Sequence, residues 1–268
     1  MYILEVKNLN FSWGKNQVLD NVNFSFPGNE LIAILGINGA GKSTLLKCIN
    51  KILKPDSGEI NLLNKNINKL NLTDLAKNIS YVPQSVLTSF SMDVFDVVLL
   101  GRRPHLNWRI NIKDRDKVSE TLRYFGLEDF AFRKFNQLSG GERQRVIIAK
   151  SVAQDPSLFL MDEPTSDLDL KNQIEVMKGI KKIIIESSNS KSALIAIHDV
   201  NIAARFADRI LLLHEGKILA NGAPEKVLTT ENIATVFGVT CDIIPKTEMS
   251  PIRIIVKDEI NIEKMEEE

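Results

Sequence analysis

Between Gly36 and Thr44 the chain reads GINGAGKST, and its first eight residues fit the spacing G-x-x-x-x-G-K-[ST] without a mismatch. The chemistry implied is the holding of a nucleotide's phosphates. Gly36 and Gly41 let the backbone curl so that successive N–H groups point inward at phosphate oxygens, with Asn38, Gly39 and Ala40 forming the rest of the cradle. The apolar run LIAIL precedes the loop, and a helical spacing that starts with Lys42, Ser43 and Thr44 follows it. That is the context the motif requires. The helix N-terminus adds partial positive charge. Lys42 can reach the β- and γ-phosphates, and the Ser43 hydroxyl can ligate Mg²⁺, which usually keeps several waters.

Two carboxylates and a histidine stand at the ends of other apolar runs. LFLMDEP places Asp162 where a buried strand emerges, suited to hold Mg²⁺ through water, with Glu163 directly after it. A carboxylate there can polarise the water that attacks the γ-phosphate. AIHDV places His198 at another strand end, where ligands of open α/β sheets bind, so a γ-phosphate contact is expected. A further stretch, QLSGGERQR, sets Ser139, Gly140 and Gly141 directly before a helical run. Bare N–H groups at such a start suit an anion, which makes a second phosphate grip about a hundred residues after the first.

The elements that must position these groups are legible from periodicity. Tyr2 to Trp13 and Val18 to Phe26 read as strands, as do Leu31 to Leu35, Glu59 to Leu63, Asn78 to Val82, Leu158 to Met161 and Ser192 to Ile197. Lys42 to Leu53 and Asn201 to Phe206 read as helices, and Arg209 to Asn221 as a hairpin around Glu215-Gly216. Between about 86 and 154 the pattern turns helical, with MDVFDVVLLG and RDKVSETLRYFG each expected to stop at its glycine. Strands alternating with helices predict an α/β fold: a phosphate-loop NTPase core with a mixed, largely parallel sheet and helices on both faces. An antiparallel β edge region and an inserted α-helical subdomain complete it. The expected organisation is a core of residues 1–85 and 155–239, the insertion at about 86–154, and a strand-like appendage with an acidic tail at 240–268. The first strand begins directly after Met1, so no further domain is expected ahead of it.

Composition narrows the setting. The chain has 268 residues, 34 Lys+Arg against 34 Asp+Glu, and formal net charge zero, which argues against general nucleic-acid binding. Cys48 and Cys241 lie far apart and form no metal spacing, as expected of a reduced cytosolic protein. Cys48 is expected to serve packing, and His214 to be exposed. No signal peptide is apparent, and no apolar run approaches the roughly 20 residues of a spanning helix, so the chain is not expected to cross a membrane itself.

Taken in order, GINGAGKST, YVPQS, LSGGERQR, LFLMDEP, TSDLD and AIHD resemble the nucleotide-binding subunit of ATP-binding-cassette transporters over about Met1 to Val239. The resemblance implies an ATPase with ATP and Mg²⁺ at the interface of a head-to-tail homodimer. In it Ser139, Gly140 and Gly141 of one subunit close over the nucleotide held by the other. It further implies that Gln84 touches Mg²⁺ or the attacking water, that Trp13 stacks on adenine where the family usually has tyrosine, and that Asp169 lies in a loop crossing the dimer interface. The partners implied are integral-membrane permease subunits and, indirectly, an extracellular substrate-binding protein, at the cytoplasmic face of the cell membrane. A separate single cassette, with no coiled coil and no fused membrane helices, resembles the importers. SMDVFDVVLLGRRPHL, Ser91 to Leu106, is similar to the group serving iron–siderophore, haem and cobalamin uptake. Zinc or manganese importers, and soluble cassette ATPases outside transport, are the alternatives. Val86, Leu87, Phe90 and Met92 are expected to line a groove for a short helix of the membrane subunit.

Overall fold

Side-chain alternation on the innermost strands sorts the core onto two faces of one sheet. The computed structural model describes residues 2–85, 91–106, 109–166, 168–187 and 190–260, and Val86, Leu87 and Phe90 lie outside them. Strands β1 (Tyr2–Trp13) and β2 (Asn16–Pro27) form a long antiparallel pair, and β3 (Leu31–Leu35) leads into α1 (Lys42–Ile49). β4 (Ser57–Leu62) and the short β5 (Lys65–Asn66) extend the first sheet to the order β2-β1-β4-β5, all antiparallel. Then come α2 (Leu72–Asn78) and β6 (Ile79–Val82).

Three helices follow, α3 (Val94–Leu99), α4 (Ile112–Tyr124) and α5 (Gly140–Ala153), packed on one another. The chain returns through β7 (Leu158–Asp162), α6 (Leu170–Glu186), β8 (Ser192–Ala196), α7 (Val200–Phe206), β9 (Arg209–His214) and β10 (Lys217–Gly222). Helices α8 (Pro224–Val227) and α9 (Thr230–Phe237) precede a separate hairpin, β11 (Val239–Ile244) with β12 (Arg253–Glu259).

The second sheet has the order β10-β9-β3-β8-β7-β6 and is parallel apart from β10. Every residue of β3, β7 and β8 is buried, as parallel strands covered on both faces must be. Leu31, Ala33, Leu35, Phe159, Met161, Ala193 and Ile195 point to the side carrying α3 to α9. Their neighbours Ile32, Ile34, Leu158, Leu160, Leu194 and Ala196 point to the side carrying α1, β1, β2 and β4. A period of two therefore builds both cores from the same strands.

Several elements depart from expectation. α1 stops at Ile49 rather than Leu53, because Lys51 turns left-handed at φ 57° and leaves Ile52 exposed. Gly126 does end α4, at φ 61°, but Gly101 ends nothing. The chain tightens from α3 into a 3₁₀ segment, Leu100–His105, that runs through it. Gly101 is there for close approach: a Cβ on it would stand 2.2 Å from the Lys150 carbonyl oxygen of α5. His214 is half-buried rather than exposed, with Nδ1 enclosed, while Cys48 is buried in the core as expected.

Candidate functional site

The loop after β3 is shaped by what surrounds it. Gly41 caps α1 at φ 105°, and a Cβ there would lie 2.9 Å from the Val18 carbonyl oxygen. Any other side chain would be strained twice, by conformation and by contact. Lys42 Nζ folds back to donate to the carbonyls of Gly36 (2.8 Å) and Ile37 (3.0 Å), which tightens the loop over its own opening. Burial pulls the Lys42 ammonium below the usual lysine range, opposed by the charges of Glu163 and Asp162.

Strand β7 delivers both carboxylates. Asp162 Oδ1 accepts from Ser43 Oγ at 2.8 Å, and Oδ2 accepts from the Tyr81 hydroxyl at 3.4 Å. Ser43 Oγ and Asp162 Oδ1 are thus about as far apart as two adjacent oxygens on an octahedral Mg²⁺ with bonds of about 2.0–2.1 Å. Hydroxyl, carboxylate and the Gln84 amide oxygen are hard donors of the kind Mg²⁺ takes. Among the described residues no three His, Cys, Asp or Glu side chains cluster. Such an ion would complete its shell from phosphate and water.

Glu163 sits one residue past the strand in the left-handed region, φ 52°, a conformation a glutamate adopts at some cost. Its N–H donates to Ala196 O of β8 (3.1 Å), and its carbonyl accepts from Ser166 N (3.3 Å) and Ser166 Oγ (3.1 Å). The turn aims a buried side chain between two partners: Gln84 Nε2 donates to Oε2 at 2.7 Å, and His198 Nε2 donates to Oε1. Two residues from separate strand ends, β6 and β8, therefore hold both carboxylate oxygens.

Trp13 is 56% exposed at the end of β1, with its ring edge-on to Phe11, so it is a surface group rather than a core one. It forms one wall of a cavity of about 460 Å³ whose lining is Trp13, Val18, Asn38, Gly39, Gly41, Lys42, Ser43, Thr44, Gln84, Glu163 and His198. Gly36 and Ala40 lie behind that lining. Ser139, Gly140, Gly141 and Asp169 do not join it. Asp169 is an exposed N-cap of α6, accepting from Asn172 N at 2.8 Å. Ser139 caps α5 in a capping box, its N–H and hydroxyl both 2.7 Å from Glu142 Oε2. Sequence reasoning missed Val18 and Tyr81. The signal for Tyr81 was its place on β6 opposite Leu160, two residues short of Asp162.

The arrangement can bind a planar ring against Trp13, hold phosphates at Lys42 and the loop N–H groups, and offer the Glu163 carboxylate, held by Gln84 and His198, to a water facing the cavity. The ABC transporter family matches over residues 19–166. An uncharacterised ABC transporter ATP-binding protein of Methanocaldococcus jannaschii is 46% identical over 239 residues, 89% of this chain and 92% of that protein. A hemin import ATP-binding protein of Escherichia coli O157:H7 is 36% identical, covering 90% and 94%. Among solved structures, a transporter described as of the metal-chelate type, in an inward-facing conformation, matches with TM-score 0.81 and 30% identity over 96% of this chain and 98% of that one. A dimeric cassette in a post-hydrolysis state with ADP and phosphate matches with TM-score 0.72 and 31% identity over 82% and 98%.

Proposed function

The chain belongs to the ABC transporter family and is an ATPase of it, and from that premise we propose that it drives an importer of a metal chelate such as haem or an iron–siderophore. The observation that carries the reading is the convergence of Lys42, Ser43, Gln84, Glu163 and His198 on one cavity beside Trp13. Trp13 takes the adenine, the loop N–H groups and Lys42 take the phosphates, and Ser43 with Asp162 and Gln84 takes Mg²⁺. The ion offsets phosphate charge when bound. Glu163 accepts the proton of the attacking water, and His198 steadies the γ-phosphate while fixing the other glutamate oxygen.

Two such subunits pair head to tail, each covering its partner's nucleotide with Ser139, Gly140 and Gly141, and Asp169 lies at the seam. The pair works beneath integral-membrane subunits at the cytoplasmic face, supplied by an extracellular substrate-binding protein. No described helix is long and apolar enough to cross a membrane. Support for the substrate class comes from the hemin import relative and the metal-chelate transporter.

The test is uptake into vesicles holding this subunit with its membrane partners, comparing hemin, a ferric siderophore, cobalamin and free Zn²⁺ or Mn²⁺. ATP-dependent uptake of a chelate supports the reading. Uptake of the bare divalent ion alone replaces the substrate class. ATP hydrolysis without any membrane partner co-purifying places the chain outside transport.

A further inference from the structure

The segment GRRPH, Gly101 to His105, marks the substrate group in sequence but touches no part of the ATP cavity. It is bonded instead to the far end of α5. Gly101 packs on Lys150 O. Arg102 Nη1 donates to Ala153 O (2.8 Å) and its Nε to Asp114 Oδ1 of α4 (3.1 Å). His105 Nε2 donates to the Gln154 carbonyl at 2.7 Å. Gln154 then faces the other way, its Nε2 donating to Ala76 O (2.6 Å) and Ile79 O (2.7 Å), where α2 passes into β6.

One residue therefore joins three elements. α5 begins at Ser139, the second phosphate grip. β6 runs toward Gln84, which holds Glu163. Fourteen residues of α5 at about 1.5 Å each make an arm of about 20 Å, so a tilt of about 5° at Gln154 moves Ser139 by roughly 1.7 Å. That exceeds the spread of useful hydrogen-bond lengths. We propose that the His105–Gln154 latch is a positioning device: it fixes the angle of α5 against β6, and so aims Ser139 to Gly141 at the partner subunit's nucleotide. The proposal rests on the head-to-tail reading above.

The experiment uses the full chain carrying Glu163→Gln, titrated with Mg-ATP and followed by sedimentation velocity. His105→Leu and Gln154→Met each remove donors from the latch. His105→Leu loses one such bond in each protomer, which at roughly fivefold per bond weakens dimerisation roughly 25-fold; because the dimer holds two ATP, the ATP concentration for half-dimerisation rises roughly fivefold, and further for Gln154→Met, which loses two bonds. ATP affinity measured on dilute monomer should stay within about twofold, because the latch is remote from the cavity. His105→Gln, whose amide can still donate, should dimerise close to the parent. His105→Leu, at a half-buried side chain, decides the matter if Gln154→Met does not fold. Ser139→Arg is the control for the head-to-tail reading. If it is monomeric while the latch variants dimerise like the parent, the latch has no positioning role and the head-to-tail reading stands. If Ser139→Arg still dimerises normally, the head-to-tail reading falls and the latch with it. Equal losses in monomer affinity and dimerisation also overturn the latch, since a general loosening would produce them.

Discussion

Glu163 is held at both oxygens, by Gln84 at 2.7 Å and by the His198 ring. Glu163→Gln keeps the shape but loses the base and one acceptor oxygen. Turnover is expected to fall roughly 10²–10⁴-fold with ATP affinity near that of the parent, measured as phosphate release beside nucleotide binding; hydrolysis within threefold of the parent would remove the water-activating role. Lys42 gives a pH signature. Its pKa is lowered in the free protein by burial, and bound phosphate favours its charged form. ATP affinity should therefore fall as pH rises through that lowered pKa toward 10.5. Over the same window the unfolded chain binds the more protons, so the stability of the nucleotide-free protein gains from this group as pH rises. Calorimetry in buffers of differing ionisation enthalpy should show proton uptake on binding. Cys48, fully buried and with its thiol pushed up to about 12, should resist alkylation at neutral pH until the protein unfolds, whereas half-exposed Cys241 reacts first.

Among the elements, two glycines that look alike in sequence behave differently. Gly101→Ala forces a methyl against a backbone carbonyl at 2.2 Å and is expected to cost about 1–3 kcal/mol, a drop of several degrees in a thermal melt. Gly126→Asn, at φ 61° with nothing within 4 Å, should melt close to the parent, since asparagine tolerates the left-handed region. Nothing in the letters separates them, because the distinction lies in what α5 brings alongside. The central strands were legible for the opposite reason: LIAIL and LFLM are buried on both faces, so local composition already states their fate. Helix α2, just before β6, was not, since only Leu75 of its seven residues is buried and the apolar stripe is too sparse. In the cavity, the phosphate loop and the strand-end residues could be read from motif and order. Val18 in the lining and Tyr81 behind Asp162 could not, because the first follows from the close approach of β2 to Gly41 and the second from the register of β6 on β7.

The molecule as a whole should register its nucleotide. Mg-ATP at about 100 times its Kd stabilises the binding-competent fold by about 2.7 kcal/mol. For a chain of this size that raises the melting temperature by roughly 5–10 °C. In Lys42→Met the rise should vanish while the nucleotide-free protein still melts cooperatively; a full rise in that variant would mean the cavity beside Trp13 is not where ATP binds. The strand order also sets a schedule. β3, which carries the phosphate loop, pairs only with β8 and β9, and Leu31 meets Ala193. At about 5–20 residues per second a ribosome adds the intervening stretch in roughly 8–30 s. Through that interval LIAIL has no parallel strand to lie against, and Leu31, Ala33 and Leu35 wait for the later helices that cover them. The loop that will grip ATP is among the earliest parts made, yet it takes shape only when synthesis is nearly three-quarters done.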